Sequence, residues 1–327
     1  MTKRVATIDI LKAAACLLIT NSHCLGLYPI GMMAVGGGQG NTLFLIVTGY
    51  LLAESVDHPF VPWISKRYRR IIPITLLVAT IWSIVHLIGS TGEISIMMYI
   101  KELLDRYWFI WAMCLYYPVY YLVLKSSRGL QTYISYLVFV LVYALAYMVL
   151  VDGRSFIAEE EGFGLLKVVN YFGVMLLGGV IRRSESSRVR AVGAENGGAR
   201  RMLIAPTVVG MLGLALWASE YIQILLFNRG LSMQYLIHVG NALFGVACLD
   251  MALIVDEFFP EIHLPRWLRC IADSTLEIYL VQVTIRPLFN GALFLFSPIL
   301  FILTVMILGV SLHWVVTAFS RQARTMQ

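Results

Sequence analysis

Charge is scarce in this sequence. Asp, Glu, Lys and Arg make up 13% of its 327 residues, about half of the roughly 25% found in an ordinary soluble domain. So few charges cannot cover a water-facing surface, and 59% hydrophobic residues with a mean hydropathy of +0.78 exclude a soluble fold. Cysteine is sparse too. Cys16, Cys24, Cys114, Cys248 and Cys270 are odd in number, lie in or beside apolar runs and show no CxxC spacing. They read as small buried hydrophobes rather than as a disulfide framework or metal site. Of these, Cys24 stands beside His23. No repeat of fixed period is present, which removes solenoid and array architectures.

In place of charge there are apolar runs of spanning length. Each can cross a hydrocarbon core of about 30 Å as a helix of about 20 residues, and the runs are too long for barrel strands. Lipid also demands that backbone hydrogen bonds close within each segment. The expected fold class is therefore all-α: a polytopic transmembrane helical bundle of about ten spans. They fall at 8–27, 41–54, 71–89, 108–124, 133–151, 165–181, 203–217, 235–255, 274–289 and 298–319. Asp9 and Lys12 interrupt the first run, so it is expected to stay in the mature protein rather than to be cleaved as a signal peptide. The chain reads as one membrane-embedded domain over 1–327. Its polar stretch 182–201, rich in Arg, Ser, Gly and Glu, reads as a cytoplasmic link between two groups of five spans.

Basic residues set the expected orientation. One side collects Lys3, Arg4, Lys66 to Arg70, Lys125, Arg128, Arg182 to Arg201, Arg266, Arg269, Arg321 and Arg324. The other holds Lys101, Arg106, Arg154 and Arg229 against Asp152, Glu159, Glu160 and Glu161. The positive-inside rule then makes both termini cytoplasmic, in agreement with an even number of spans. The net charge of +6 needs no nucleic acid to explain it.

Polar side chains inside lipid are costly, so each is a candidate for function. Asp9, Lys12, Cys16, Thr20 and His23 are spaced three, four, four and three apart, along one helix face. His23 lies about 16 Å beyond Lys12 at 1.5 Å per residue, so the two do not touch. An imidazole there suits a general base toward a hydroxyl or amine near neutral pH, while Asp9 and Lys12 suit a local ion pair equally well. The run Lys66-Arg67-Tyr68-Arg69-Arg70, with Trp63 nearby, serves as an orientation signal and also suits a phosphate-rich ligand, because guanidinium groups pair with phosphates and stack on rings. Glu277 and Arg286, nine apart, suit ion pairs with other spans. His238 and Asn241, three apart, suit either interhelical hydrogen bonds or an acceptor entrance. No pair has metal-ligand spacing, so no metal is expected.

Taken in order, these residues resemble a known family. The opening Ile8-Asp9-Ile10-Leu11-Lys12 with His23, the run Thr42-Leu43-Phe44-Leu45-Ile46-Val47-Thr48-Gly49-Tyr50 and Arg67-Tyr68-Arg69-Arg70-Ile71-Ile72-Pro73 are similar to the start of the acyltransferase-3 family of membrane acyltransferases. Further along, Tyr107-Trp108-Phe109-Ile110, Tyr171-Phe172 leading to Gly178, Arg182 and Arg183, and Ser274-Thr275-Leu276-Glu277-Ile278-Tyr279-Leu280 continue the likeness. The resemblance implies acyl transfer from acyl-CoA, acetyl-CoA the foremost donor, to a glycan or other hydroxyl-bearing acceptor at the outer face of a cytoplasmic membrane. It implies His23 as the catalytic group, with Lys12 where family members usually carry arginine and Asp9 beside it. It also maps the donor-binding arginines onto Arg67 and Arg70, with Lys66 and Arg69 in the same run. Asn41, Trp108, Tyr279 and Gln282 are candidate oxyanion or acceptor contacts, and Gln282 stands where many members have histidine. Membrane lipid and a homo-oligomer are open partners. The alternative is a transporter of a solute or lipid-linked sugar, with Asp9, Lys12, Glu277 and Arg286 as its charged path.

Overall fold

A computed structural model describes residues 5–89, 96–127, 130–150, 164–192, 199–227, 234–289 and 296–325. Lys3, Arg4, Arg128, Asp152, Arg154, Glu159 to Glu161 and Arg229 lie outside the described residues, as do the side chains of His86, Glu220, Arg321 and Arg324.

The described residues form twelve α-helices and no strand. In chain order they are α1 (Ala6–Ser22), α2 (Gly37–Ala53), α3 (Phe60–Gly89), α4 (Ile96–Arg106), α5 (Trp108–Ser126), α6 (Leu130–Leu150), α7 (Gly164–Val192), α8 (Ala199–Phe227), α9 (Gln234–Phe258), α10 (Arg266–Asp273), α11 (Thr275–Ile285) and α12 (Ser297–Thr325). Each of the ten apolar runs coincides with a helix. Two helices have no counterpart among those runs. One is α4, whose apolar and polar residues alternate at helical spacing, and the other is α10, eight residues long.

Among the described residues, five stretches are long and apolar enough to cross a membrane: Phe60–Val85, Leu130–Val149, Leu165–Ser184, Leu236–Phe258 and Ser297–Ser320. A sixth is the pair Tyr99–Arg106 and Trp108–Ser126, if the 70° bend between them is a break within one span. Of the remaining expected spans, that at 203–217 coincides with a shorter apolar stretch, Leu203–Ser219, and the other three have physical reasons to fall short. Helices α1 and α2 are 17 residues each, and α1 carries Asp9 and Lys12. The run expected at 274–289 is broken: α11 holds 11 residues and gives way to a 3-10 turn at Arg286–Leu288 that contains Pro287. In the other direction, α3 starts at Phe60, so the basic run Lys66 to Arg70 is helical rather than a loop ahead of the span. The expected link at 182–201 is helical as far as Val192 and again from Ala199.

The helices sort into two compact units. The first comprises Met1–Leu11, Gly38–Pro59 and Val119–His263. Here α2 and α7 meet backbone to backbone: a Cβ on Gly49 would overlap the Met175 carbonyl, and one on Gly178 the Ile46 carbonyl. In lipid, where apolar burial separates no helix from its solvent, such close approach supplies the dispersion contacts that hold helices together. Tyr120 adds a hydrogen bond from its hydroxyl to the Gly49 carbonyl at 2.5 Å. Helices α8 and α9 repeat the device at Gly213 and Gly240, where an added Cβ on either would come within 2.6 Å of the other's carbonyl oxygen. At the end of α2, Arg182 donates to the Tyr50 hydroxyl at 2.6 Å, lies 4.8 Å from its ring centre and pairs with Glu54.

The second unit comprises Lys12–Gly37, Phe60–Pro118 and Leu264–Gln327. Helix α11 runs through its core, with Ile278 and Leu280 at most 1% exposed. Cys16, Cys24, Leu27, Phe301, Val305 and Met306 pack with Ile278 as one apolar cluster. The expectation that cysteines serve as buried hydrophobes holds for Cys16 and Cys24. Cys24 is fully buried, and its thiol points at the carbonyls of Thr20 and Pro298, 3.7 and 4.0 Å away.

Candidate functional site

In the second unit, α11 is the element that brings the predicted residues into one framework. Its short length follows from its neighbours: Ser274 separates it from α10, and Pro287 lies just beyond its end. Along its surface almost every turn contacts a different helix. Glu277 faces α12, where the His313 imidazole Nδ1 lies 3.1 Å from its Oε1. Tyr279 packs against Phe109 of α5 with ring centres 5.5 Å apart, and Phe109 meets Trp108 edge to face at 5.7 Å. Gln282 faces α1, where its Oε1 lies 2.8 Å from the Thr20 hydroxyl. The Val283 carbonyl accepts from Arg106 at 2.8 Å, and the Thr284 hydroxyl pairs with that of Tyr107 at 2.8 Å.

His23 stands at one end of this framework. Helix α1 stops at Ser22, so His23 sits in the following turn, its N–H bonded to the Thr20 carbonyl at 3.2 Å. The side chain is half-buried. The turn closes through Gly26, whose φ of +79° lies in the left-handed region that favours glycine. Arg286, just past α11, holds it from the far side. Its Nε donates to the His23 carbonyl at 2.6 Å, Nη1 to the Phe289 carbonyl at 2.9 Å, and Nη2 to the Leu25 carbonyl. Among the described residues Arg286 pairs with backbone carbonyls rather than with a carboxylate, and its fork fixes the backbone that carries His23. Ser22, one residue before the histidine, packs against Gly37 at the start of α2, where an added Cβ would meet its hydroxyl at 2.8 Å.

The basic run stands at the other end of α11. Arg67 and Arg70 are one turn apart on α3 and so share a face. Arg67 lies 3.6 Å from the Trp63 ring centre and donates to the Trp63 carbonyl at 2.6 Å. Arg70 is exposed and donates at 3.4 Å to the carbonyl of Asp273, which closes α10 just before α11. Lys66 and Arg69 are exposed as well. Tyr68 fixes the run in place through a 2.7 Å bond from its hydroxyl to the Cys114 carbonyl on α5. Between the Asp273 and Arg286 contacts lies the length of α11, about 16 Å at 1.5 Å per residue.

Two further features of this unit bear on chemistry. Gln282 is 1% exposed, and its amino group Nε2 has no hydrogen-bond partner among the described residues. Beside α10 and α12 lies a cavity of about 380 Å³ lined by Cys270, Asp273, His313, Trp314, Thr317 and Ala318. His313 escaped the sequence reading. The signal that could have found it was a lone histidine in the most apolar stretch of the chain, facing the one carboxylate of α11. Arg286 was visible as an intramembrane charge, but its partners are backbone carbonyls, which no side-chain pattern reveals.

The remaining candidates are distributed as follows. Lys12, in the second unit, is half-buried and within electrostatic reach of Cys16 one turn further along α1. Asp9 and Asn41 belong to the first unit. Asp9 is 5% exposed, and the Asn41 amide donates to the Tyr171 hydroxyl at 3.2 Å. The structure thus joins His23, Gln282, Tyr279 and Arg70 to α11 or its flanking residues, with Trp108 reached through Phe109 and Arg67 one turn from Arg70 on α3. Among the described residues, no group of three His, Cys, Asp or Glu side chains is placed to hold a metal ion.

Comparison with known protein families finds a match. The sequence model of an acyltransferase domain, that of the acyltransferase-3 family, matches residues 5–318. No curated protein and no solved structure matches the chain.

Proposed function

The chain belongs to the acyltransferase-3 family, and on that premise we propose that it transfers an acyl group, acetyl foremost, from acyl-CoA to a carbohydrate hydroxyl, with His23 as general base. The family membership makes it a multi-pass membrane acyltransferase; donor, acceptor, sidedness and residue roles are the proposal. Carrying it is the arrangement of α11, which ends at the His23 turn on one side and beside Arg70 on the other. A basic cluster and a base set at opposite ends of α11, itself about 16 Å long at 1.5 Å per residue, suit the reach of a pantetheine arm between nucleotide and thioester.

In this reading Arg67 and Arg70, with Lys66 and Arg69, hold the nucleotide phosphates on the cytoplasmic side of the inner membrane, and the acyl end extends toward His23. The acceptor hydroxyl gives its proton to the His23 imidazole, and its oxygen attacks the thioester carbonyl carbon. The tetrahedral intermediate collapses with cleavage of the C–S bond, and the departing CoA sulfur takes up the proton from the imidazolium. Transfer is direct and needs no acyl-enzyme. The unpaired Nε2 of Gln282 is a donor available to the oxyanion, since a buried N–H aimed at developing charge is worth far more than one in water. Trp108 and Tyr279, joined through the Phe109 ring, are the proposed acceptor contacts. Arg286 acts as a positioning residue through the backbone of His23.

Purified protein in nanodiscs, given [14C]acetyl-CoA and a panel of oligosaccharides, tests this directly. Label transferred to sugar is the expected result. CoA binding with no release of acetyl to any acceptor or to water would sink it.

A further inference from the structure

The first unit contains a polar cluster that helix packing leaves incomplete. Three helices meet there in pairs. Asn41 of α2 bonds Tyr171 of α7 at 3.2 Å, and Asn170 of α7 faces the His238 imidazole of α9 at 3.2 Å. Helix α9 returns to α2 through Asn241, whose amide lies on the first turn of α2: a Cβ on Gly38 would come within 2.6 Å of its Nδ2. Asparagines and glutamines in membrane helices commonly join helices through their hydrogen bonds, and Asn41 and Asn170 do so. Gln39 and Asn241 do not. They are 6% and 5% exposed, and their carbonyl oxygens Oε1 and Oδ1 have no hydrogen-bond partner among the described residues. Buried polar atoms without partners are rare in folded proteins because each carries an uncompensated desolvation cost.

The chemistry of these groups selects the ligand. Two open amide carbonyls are acceptors and call for O–H or N–H donors. The first turn of α2 adds backbone N–H groups, which lack intrahelical acceptors at a helix start, Gly38 lets the Asn241 amide lie directly on that turn, and each open amide carries an amino donor beside its carbonyl. The residues that make the cluster are amides, an imidazole and a phenol, with no carboxylate among them, and Lys167 brings a positive charge within reach of His238. Donors and acceptors side by side, with no carboxylate among the cluster's residues, match vicinal hydroxyl groups, each of which both gives and accepts a hydrogen bond. We infer that Gln39 and Asn241, at the junction of α2, α7 and α9, bind a glycosyl unit through its hydroxyls. This rests on the proposed acyl transfer to a carbohydrate and assigns the first unit a contact with that carbohydrate.

The shared chemistry is a hexopyranose ring, free or lipid-borne, and the test uses the full chain in nanodiscs in two arms. Saturation-transfer NMR with soluble maltotriose and chitotriose reads a free glycan, and nanodiscs doped with monoglucosyl diacylglycerol read a lipid-borne one. Gln39→Met and Asn241→Leu replace each amide by an apolar group of similar size. The expected result is sugar binding in at least one arm, weakened at least about tenfold in both variants, with melting temperatures equal to or above that of the parent. A residue that only joins helices would lower the melting temperature instead, because its hydrogen bonds would be lost. Absence of binding in both arms, or undiminished binding in both variants, overturns the inference. Sugar binding that depends on these residues without any acetyl transfer would refute the enzyme reading alone. Normal acetyl transfer by the double variant would refute this site and leave the enzyme reading standing.

Discussion

Replacing Arg286 by leucine tests whether the backbone of His23 is held in place or merely happens to lie there. The guanidinium donates to three carbonyls, those of His23, Leu25 and Phe289. A hydrogen bond involving a charged group contributes about 1.5–3 kcal/mol. Because Arg286 is half-buried, solvent screens part of that, and a total of about 2–4 kcal/mol for the three is a reasonable figure. Loss of 2 kcal/mol is enough to shift a two-state turn about thirtyfold toward other conformations. Displacing a catalytic group by about 1 Å lowers turnover about 100-fold. We therefore expect Arg286→Leu to lower kcat for acyl transfer by about 10- to 100-fold. The KM for acetyl-CoA should change less than about twofold, because the Arg67 and Arg70 contacts at the other end of α11 are untouched. Arg286→Lys keeps the charge but offers a point donor in place of a fork, so it should recover part of kcat and not all. Steady-state kinetics in nanodiscs with melting followed by tryptophan fluorescence read both effects. Wild-type kcat with wild-type melting in Arg286→Leu would refute the positioning role.

Three other outcomes follow from the same contacts. Arg67→Ala with Arg70→Ala should weaken CoA binding in calorimetry by at least about tenfold, since each charge-assisted phosphate contact is worth over 1 kcal/mol; unchanged affinity would leave the run as an orientation signal. Gln282→Met should lower kcat by about 100-fold or more with little change in donor KM if its amide stabilises the oxyanion, whereas a role confined to its bond with Thr20 would show only as a lower melting temperature. Gly49→Val should prevent folding or sharply lower the melting temperature, because its Cβ position is occupied by the Met175 carbonyl; a variant that melts like the parent would contradict the close α2–α7 packing.

Much of the architecture was legible because lipid leaves few solutions to a chain this poor in charge. Composition alone gives an all-helical membrane protein, and the apolar runs mark where helices lie. Their length was less legible. Helix α11 reads as an apolar run from 274 to 289, yet Ser274 and Pro287 confine it to 11 residues, a break that hydropathy does not register. Helix α10 carries two arginines in eight residues and so leaves no apolar trace. At the candidate site, the face of α1 was readable from its period, and Cys16 and Thr20 are indeed buried in line. The roles of α11 neighbours were not. Among the described residues Arg286 bonds to backbone carbonyls, and the Glu277–His313 pair joins residues 36 positions apart, so neither leaves a local pattern. Asn241 was legible as an interhelical or acceptor-entrance residue, but that its amide and that of Gln39 stand open was not, since an unmatched hydrogen bond is a property of packing and not of sequence.

The most direct test of the central claim is acetyl transfer by His23→Ala, measured beside the parent in nanodiscs with [14C]acetyl-CoA, together with CoA affinity and melting of both. Loss of a general base costs about 100- to 10,000-fold in rate, so transfer should fall to that extent while CoA affinity and melting stay within error of the parent. Transfer by His23→Ala within a few-fold of the parent would contradict the account.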